Sequence, residues 1–289
     1  MPDTESTNHA ESNNQTTQTK CTGGHDHEHH HDSDGMQTHH GNDAICIDNI
    51  SYSYSGGDSP RWAVENVTMH IPLGTRLGIV GPNGSGKSTL LRLIIGLQQP
   101  TRGTISVLGY PPKQACRNRM IGYVPQRPEV EFDFPLSALQ VVLQGRVGRV
   151  GMFHFLSKND HEMARRVMAD VGIESIADQP IGGLSGGQQQ RVFIARAMAV
   201  EPKILILDEP TAAIDEAGQD VFARLMERVH DSYEMTTLLV SHDLRAIVAG
   251  CNQVACLNRK LHFHDAPSGL TREVLNEVFE HNLTGIEME

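Results

Sequence analysis

A glycine-rich segment between an apolar run and a helix-forming run constrains the fold of this chain more than any other feature. It follows the apolar residues 77–80, precedes the run 90–95, and reads Gly81-Pro82-Asn83-Gly84-Ser85-Gly86-Lys87-Ser88-Thr89. This order of strand, glycine loop and helix is the context of a phosphate-binding P-loop. Glycines let backbone N–H groups turn toward an anion, and the helix N-terminus adds partial positive charge. Lys87 would bind the β- and γ-phosphates and the Ser88 hydroxyl would bind Mg²⁺, which predicts a nucleoside triphosphate site.

A second segment, an apolar strand that ends in two acids, complements the P-loop. Residues 204–207 are aliphatic and are followed by Asp208-Glu209-Pro210. At the carboxyl edge of a parallel sheet, Asp208 could hold the Mg²⁺ that bridges the phosphates. Glu209 is placed to polarise a water for in-line attack on the γ-phosphate. Alone, such a sequence is also typical of a turn after a strand, but beside a P-loop it predicts hydrolysis.

A third segment places small residues at the start of a helix predicted through 191–200. It reads Leu184-Ser185-Gly186-Gly187-Gln188, and its exposed N–H groups favour an anion. By itself it could be a simple helix cap. A second phosphate-binding loop in one P-loop chain is explained most simply if it contacts the nucleotide of another subunit.

Composition excludes several classes of protein. The net charge of −11 over 289 residues argues against a general nucleic-acid binder, which would be basic. No apolar run approaches the ~20 residues needed to span a bilayer, and no secretory signal is visible. The five cysteines form no CxxC pair and are expected to be reduced packing residues of a cytosolic protein. Metal binding by Cys251 and Cys256 is the less favoured alternative.

Residues 1–43 are predicted to be a disordered, acidic, histidine-rich tail. They contain eight acids, one lysine and almost no aliphatic residues, so they cannot bury enough apolar surface to fold alone. Eight of the sixteen histidines lie here. Imidazoles interleaved with carboxylates form a flexible chelator suited to Zn²⁺, Ni²⁺ or Cu²⁺, although a solvated tail with incidental metal affinity is the alternative. The candidate ligands are His25, His27, His29, His30 and His31.

Hydrophobic periodicity predicts a mixed α/β domain that begins near Ala44. Two antiparallel strands, over 45–54 and 64–71, flank a turn at 56–60. Further strands are predicted over 104–108, 120–124, 203–208, 236–240 and 253–264. Helices are predicted over 136–144, 158–171, 191–200, 215–231, 243–250 and 271–280. The segment 145–157 is predicted to be a loop.

Six motifs in this order resemble the ATP-binding subunit of an ABC transporter, over about residues 44–265. They are Walker A (81–89), the Q-loop (Gln126), the signature (184–188), Walker B (204–208 with Glu209), the D-loop (213–215) and the switch histidine (His242). The resemblance implies an α/β P-loop NTPase fold of the RecA-like type. An antiparallel β subdomain and an inserted α-helical subdomain over about 127–183 would complete one domain over 44–289.

The resemblance also implies roles in binding one nucleotide. Tyr54 would stack on adenine, with Tyr52 and Trp62 as alternatives for that role. Gln126 would bind Mg²⁺ or the attacking water. His242 would hold the γ-phosphate and orient the water.

Further roles implied by the resemblance lie between two copies of the chain. Ser185 and Gly187, with Gly186 and Gln188 beside them, would contact the γ-phosphate of the opposite protomer. Asp215 would couple the two sites. Two copies would enclose two ATP molecules with Mg²⁺, closing on binding and reopening after hydrolysis. A separate integral-membrane permease, served by a solute-binding protein, would hold this dimer at the cytoplasmic face of the membrane.

Three segments are similar to importers for zinc, manganese and chelated iron. They cover residues 122–127, 132–135, which read Phe-Asp-Phe-Pro, and 141–146. The histidine-rich tail favours zinc, because Mn²⁺ prefers harder oxygen ligands. An exporter or cell-division subunit is the alternative. A non-transport ABC ATPase is disfavoured, because the chain has one cassette, a net negative charge and no long heptad segments.

Overall fold

The computed structural model describes residues 42–55, 61–126, 136–150, 155–211 and 216–279. Several predicted features lie outside the described residues. They are the tail with His25, His27, His29, His30 and His31, the turn at 56–60, the aromatic segment 132–135 and Asp215.

The described residues form nine strands, eight α-helices and three short 3₁₀ turns. The strands are β1 (Asp43–Ser53), β2 (Trp62–Pro72), β3 (Arg76–Val80), β4 (Arg102–Val107), β5 (Ile121–Val124), β6 (Ile204–Asp208), β7 (Thr236–Ser241), β8 (Gln253–Asn258) and β9 (Lys260–Asp265). The helices are α1 (Lys87–Ile94), α2 (Pro112–Arg117), α3 (Ala138–Val150), α4 (Lys158–Asp170), α5 (Gly186–Met198), α6 (Glu216–Tyr233), α7 (Leu244–Gly250) and α8 (Arg272–Phe279). Short 3₁₀ turns cover Glu174–Ile176, Ile181–Gly183 and Pro267–Gly269.

A six-stranded sheet positions the candidate catalytic and phosphate-binding residues. Its order is β5-β6-β7-β3-β8-β9, and every pairing is parallel except that of β8 with β9. β6 and β7 are buried along their whole length, as expected for strands covered on both faces. Because β6, β7 and β3 are neighbours, the segments that follow their carboxyl ends meet at one edge of the sheet. Those segments are Glu209, His242 and the P-loop.

A smaller antiparallel sheet has the order β2-β1-β4. β1 pairs with β2 on one side and with β4 on the other. Its inward residues Ile45 and Ile47 pack with α1 in one core. Together the two sheets confirm the α/β P-loop fold and the antiparallel layer that the sequence predicts.

The prediction of a loop over 145–157 is wrong in its first part, because α3 continues to Val150. Gly145 does not end the helix. A Cβ at Gly145 would lie 2.2 Å from the carbonyl oxygen of Arg196 on α5. The glycine therefore allows two helices to approach closely, which is the other common use of a residue without a side chain.

Arg146 is the next residue, and it is buried rather than part of an exposed loop. Its side chain is 3% exposed and donates to Oδ1 of Asp160 at 2.9 Å and to Oε2 of Glu201 at 2.6 Å. It also donates to the carbonyl oxygen of Ala199 at 2.9 Å. These acceptors replace the water that a buried guanidinium loses. The contacts attach α3 both to α4 and to the end of α5.

The other predicted elements differ from the structure at their ends. β1 begins at Asp43, one residue before the predicted start of the fold. α5 begins at Gly186, so the signature segment itself forms the first turn of the helix. Within the described residues, no helix has the length and apolar character needed to cross a membrane. Cys251 and Cys256 are free, and burial raises the pKa of each thiol to about 12, which favours packing over metal binding.

Candidate ATP-binding and hydrolysis site

Two positions of the loop between β3 and α1 have room for glycine alone. Gly86 has φ of 99°, and a Cβ there would lie 2.3 Å from the carbonyl oxygen of Ala63. A Cβ at Gly81 would lie 2.0 Å from the carbonyl oxygen of Leu257. The loop therefore packs closely against the backbone of β2 and β8 at these two glycines.

Lys87 lies at the start of α1 and is buried. Its Nζ donates to the carbonyl oxygens of Gly81 at 2.7 Å and Pro82 at 3.0 Å. Burial lowers the pKa of Lys87, against the opposing effect of the Glu209 and Asp208 carboxylates. An ammonium group held in this way by two neutral carbonyls can exchange them for phosphate oxygens, which carry full negative charge.

A cavity of about 310 Å³ lies over the loop and gathers most of the predicted ATP contacts. It is lined by Tyr54, Ala63, Asn83, Gly84, Ser85, Gly86, Lys87, Ser88, Thr89, Gln126 and Glu209. The aromatic residue, the phosphate loop, the Q-loop residue and the acid therefore face one space, although they are up to 155 positions apart in the sequence.

Glu209 and His242 form a hydrogen-bonded pair beside this cavity. Nδ1 of His242 donates to Oε2 of Glu209 at 2.6 Å. The Glu209 side chain is 9% exposed, whereas that of His242 is 56% exposed. Glu209 has φ of 49°, and its amide donates to the carbonyl oxygen of Val240 at 2.8 Å. A left-handed backbone at a residue other than glycine costs about 1–3 kcal/mol, and here it turns the carboxylate away from the strand into the cavity.

Asp208 supplies a buried oxygen without a partner. Among the described residues its Oδ1 has no hydrogen bond, while its Oδ2 accepts from the hydroxyl of Tyr123 at 3.4 Å. Burial, and then the neighbouring Glu209 carboxylate, raise the pKa of Asp208. An orphaned carboxylate oxygen beside a second acid fits a bound cation, which would satisfy both.

The contact from Tyr123 to Asp208 was not predicted from the sequence. Tyr123 lies on β5, which pairs with β6. Burial and the Asp208 carboxylate raise the pKa of Tyr123 to about 12, so its hydroxyl keeps the proton that it donates. The pairing of β5 with β6 is the only signal that could have revealed it, and the sequence does not give that pairing.

Of the three aromatic residues considered for adenine, Tyr54 alone among them lines the cavity. Its side chain is 59% exposed, and its hydroxyl lies 3.0 Å from Oγ1 of Thr89. Tyr52 packs against the core and meets Tyr54 edge to face at 5.0 Å. The guanidinium carbon of Arg102 lies over the ring of Trp62, 5.2 Å from the ring centroid. The geometry therefore favours Tyr54 as the free aromatic face.

The signature segment caps α5 and lies outside that cavity. Oγ of Ser185 accepts from the amide of Gln188, and Oε1 of Gln188 accepts from the amide of Ser185 at 2.9 Å. A separate cavity of about 300 Å³ adjoins this helix start, and Ser185, Gly187 and Gln188 line it. The two cavities share no residue among those described. The signature, which is the second candidate phosphate-binding segment, therefore does not face the P-loop of its own chain.

Comparisons with known proteins agree with this geometry. The ABC transporter family model matches residues 64–212. The manganese transport system ATP-binding protein MntB of Bacillus subtilis strain 168 is 38% identical over 241 residues, 83% of this chain and 94% of that protein. The zinc uptake system ATP-binding protein ZurA of Listeria monocytogenes is 36% identical, over 85% of this chain and 91% of that protein.

A solved structure extends the comparison to three dimensions. It is an ATP-binding cassette in a dimeric, post-hydrolysis state bound to ADP and Pi. It superimposes with a TM-score of 0.65 at 28% identity, and the match covers 78% of this chain and all of that one.

Proposed function

Since this chain belongs to the ABC transporter family, we propose that it is the ATP-hydrolysing subunit of an importer for a divalent transition metal. The ATPase activity follows from the family and from the homologous cassettes. The metal substrate is supported by the named functions of the manganese and zinc relatives. The proposed hydrolysis is supported by one cavity that is lined by Lys87, Gln126 and Glu209. His242 is hydrogen-bonded to Glu209 beside this cavity.

Hydrolysis uses Glu209 as the general base. The carboxylate accepts a proton from water while the water oxygen bonds to the γ-phosphorus and the bond to the bridging β–γ oxygen breaks. His242 fixes the orientation of that carboxylate through the 2.6 Å hydrogen bond. Lys87 stabilises the charge on the phosphate oxygens.

Asp208, Ser88 and Gln126 are the residues that would hold Mg²⁺. Ser88 and Gln126 line the cavity, and Asp208 contributes the unpartnered Oδ1. When bound, Mg²⁺ neutralises phosphate charge and orients the β- and γ-phosphates. The hydrogen bond from Tyr123 orients the Asp208 carboxylate for this role.

Tyr54 binds the adenine ring by stacking, and Tyr54→Ala should raise the dissociation constant for ATP about 10-fold, because aromatic stacking contributes about 1–3 kcal/mol per base. Tyr54→Phe should retain most of the affinity, since it keeps the ring and loses only the contacts of the hydroxyl, which include Thr89 and Arg92. Equilibrium binding of a fluorescent ATP analogue measures both variants. Trp62→Ala is the matched control and should bind ATP like the wild type. A 10-fold loss in Trp62→Ala with none in Tyr54→Ala would reassign the adenine contact.

Two copies of the chain form the complete hydrolysis unit. The signature segment does not line the P-loop cavity of its own chain, and a homologous cassette is dimeric after hydrolysis. The γ-phosphate held by one copy is contacted by Ser185 and Gly187 of the other. ATP therefore draws two copies together, and loss of phosphate releases them.

A separate membrane permease carries the ion, and this subunit associates with it peripherally at the cytoplasmic face. A solute-binding protein delivers the ion from the opposite side. Zinc is the first candidate, because the histidine- and carboxylate-rich sequence at 1–43 matches its ligand preferences better than those of Mn²⁺. Manganese is the second, on the named function of the Bacillus relative.

The test is ATP-driven uptake of radioactive Zn²⁺ and Mn²⁺ into vesicles that contain the permease and this subunit, with ATP enclosed inside and the solute-binding protein added outside. We expect uptake of Zn²⁺ that depends on ATP, is competed less well by Mn²⁺, and is absent with Glu209→Gln. Preferential uptake of Mn²⁺ would replace zinc by manganese within the same proposal. ATP hydrolysis without uptake of either ion, or ATP-driven efflux, would contradict the importer.

A further inference from the structure

The geometry points to a transition-metal site at the start of β1, formed by Asp43, Cys46 and His70. Each residue offers one ligand atom, and the three atoms lie within 4.8 Å of one another. The site is at the opposite end of β1 from Tyr54, roughly 30 Å away by the rise of the strand. It is therefore separate from the ATP cavity and from any Mg²⁺ bound there.

The pairing of two strands builds this cluster. Cys46 on β1 is the register partner of His70 on β2, so their side chains share one face of the sheet. In a regular strand, residues three apart point to opposite faces. A register shift between Asp43 and Ile45 breaks that alternation and lets Asp43 join the Cys46 face. Sequence patterns do not reveal a strand irregularity of this kind.

Two of the three distances between ligand atoms match those of a tetrahedral site. Oδ2 of Asp43 lies 3.3 Å from Nδ1 of His70 and 3.4 Å from Sγ of Cys46. Ligands bound to Zn²⁺ at about 2.0–2.3 Å are roughly 3.3–3.8 Å apart across a tetrahedron. An ion could therefore replace the two hydrogen bonds with only small movements of the side chains.

Asp48 supports His70 from the other side of the ring. Oδ1 of Asp48 lies 3.6 Å from Nε2 of His70. A metal-bound histidine commonly gives its second ring N–H to a carboxylate, which fixes the tautomer and the ring orientation. Binding through Nδ1 would leave Nε2–H to point toward Asp48, so Asp48 is a positioning residue.

Burial and charge also favour a cation. A divalent ion bound between the Asp43 carboxylate and the Cys46 sulfur would offset the negative charge of both ligands. Cys46 and Asp43 are 8% and 11% exposed, whereas the His70 side chain is 38% exposed, so one side stays open to solvent. A sulfur, a nitrogen and an oxygen ligand together suit Zn²⁺ or Co²⁺ better than Mg²⁺ or Mn²⁺.

Titration of the full chain with Co²⁺ tests the site directly, because a thiolate bound to Co²⁺ gives a charge-transfer absorption in the near ultraviolet. Histidines without a thiol do not give this band, so within the histidine-rich sequence Cys21 alone could contribute to it. We expect Cys21→Ser, which removes the only thiol of that sequence, to keep the band and Cys46→Ser to lose it. A band lost in Cys21→Ser but kept in Cys46→Ser, or no band in the wild type, would overturn the site.

Three further measurements separate metal binding from a purely structural cluster. Asp48→Asn should keep the band but raise the dissociation constant for Co²⁺ about 10-fold, the effect expected of an outer-shell partner. Zn²⁺ should raise the thermal unfolding temperature of Cys21→Ser but not of Cys46→Ser. Cys46→Ser should keep the wild-type ATPase rate, which shows that it folds. Equal stabilisation of both cysteine variants by Zn²⁺ would show that the cluster is only a set of hydrogen bonds.

Discussion

Glu209→Gln is expected to lower the rate of ATP hydrolysis by about 100-fold or more, because a general base contributes about 10²–10⁴-fold. The amide keeps the size of the side chain and can still bond to His242, but it cannot take a proton from water. The affinity for ATP should stay within about twofold, because Lys87 and the loop glycines, which bind the phosphates, are untouched. Steady-state phosphate release and equilibrium ATP binding measure the two quantities.

Glu234→Gln is the matched control for this variant. Glu234 also has a positive φ, of 47°, but it is exposed and lies outside the cavity lining. It should hydrolyse ATP at the wild-type rate. Retention of more than about a tenth of the wild-type rate by Glu209→Gln would remove Glu209 from the role of base.

Gly187→Asp is expected to abolish hydrolysis although it lies outside the P-loop cavity of its own chain. No atom lies within 4 Å of a Cβ built at Gly187, so the side chain fits and the single chain should fold. An acid in the first turn of α5 even favours the helix by a few tenths of a kcal/mol. Opposite a γ-phosphate, however, its charge is repelled, and we expect a loss of about 100-fold or more in rate, a loss of about 2.7 kcal/mol of transition-state stabilisation.

Gly183→Asp is the matched control for Gly187→Asp, because it introduces the same negative charge outside the signature. Gly183 precedes the signature, and a Cβ there also meets no atom within 4 Å. It should keep the wild-type rate and bind ATP as tightly as Gly187→Asp does. Equal activity of the two variants would mean that the signature segment does not contact nucleotide.

The candidate catalytic residues could be proposed from the sequence because each follows a strand in a short, recognisable motif. Lys87, Asp208 and Glu209 needed only local patterns, and strand order then placed them at one edge of the sheet. Their distances could not be predicted. The 2.6 Å contact between Glu209 and His242 depends on the neighbouring positions of β6 and β7 and on the left-handed backbone of Glu209.

Features that depend on packing between distant elements could not be predicted from the sequence. Gly145 and Arg146 have the composition of a loop, yet a close helix contact and three acceptors for the buried guanidinium accompany their place in α3. Cys46 and His70 are 24 positions apart and become neighbours only through the register of β1 with β2. In each case the deciding partner belongs to another element, and periodicity within one segment carries no information about it.

The molar mass of Glu209→Gln with and without ATP, measured by light scattering, tests most directly the claim that two chains share each nucleotide. Because we expect this variant to bind ATP with little hydrolysis, ATP should double its mass. Adding Gly187→Asp to the same chain should prevent the doubling while leaving ATP binding intact. A mass that stays at one chain with saturating ATP, or a doubling that Gly187→Asp leaves unchanged, would contradict the shared site.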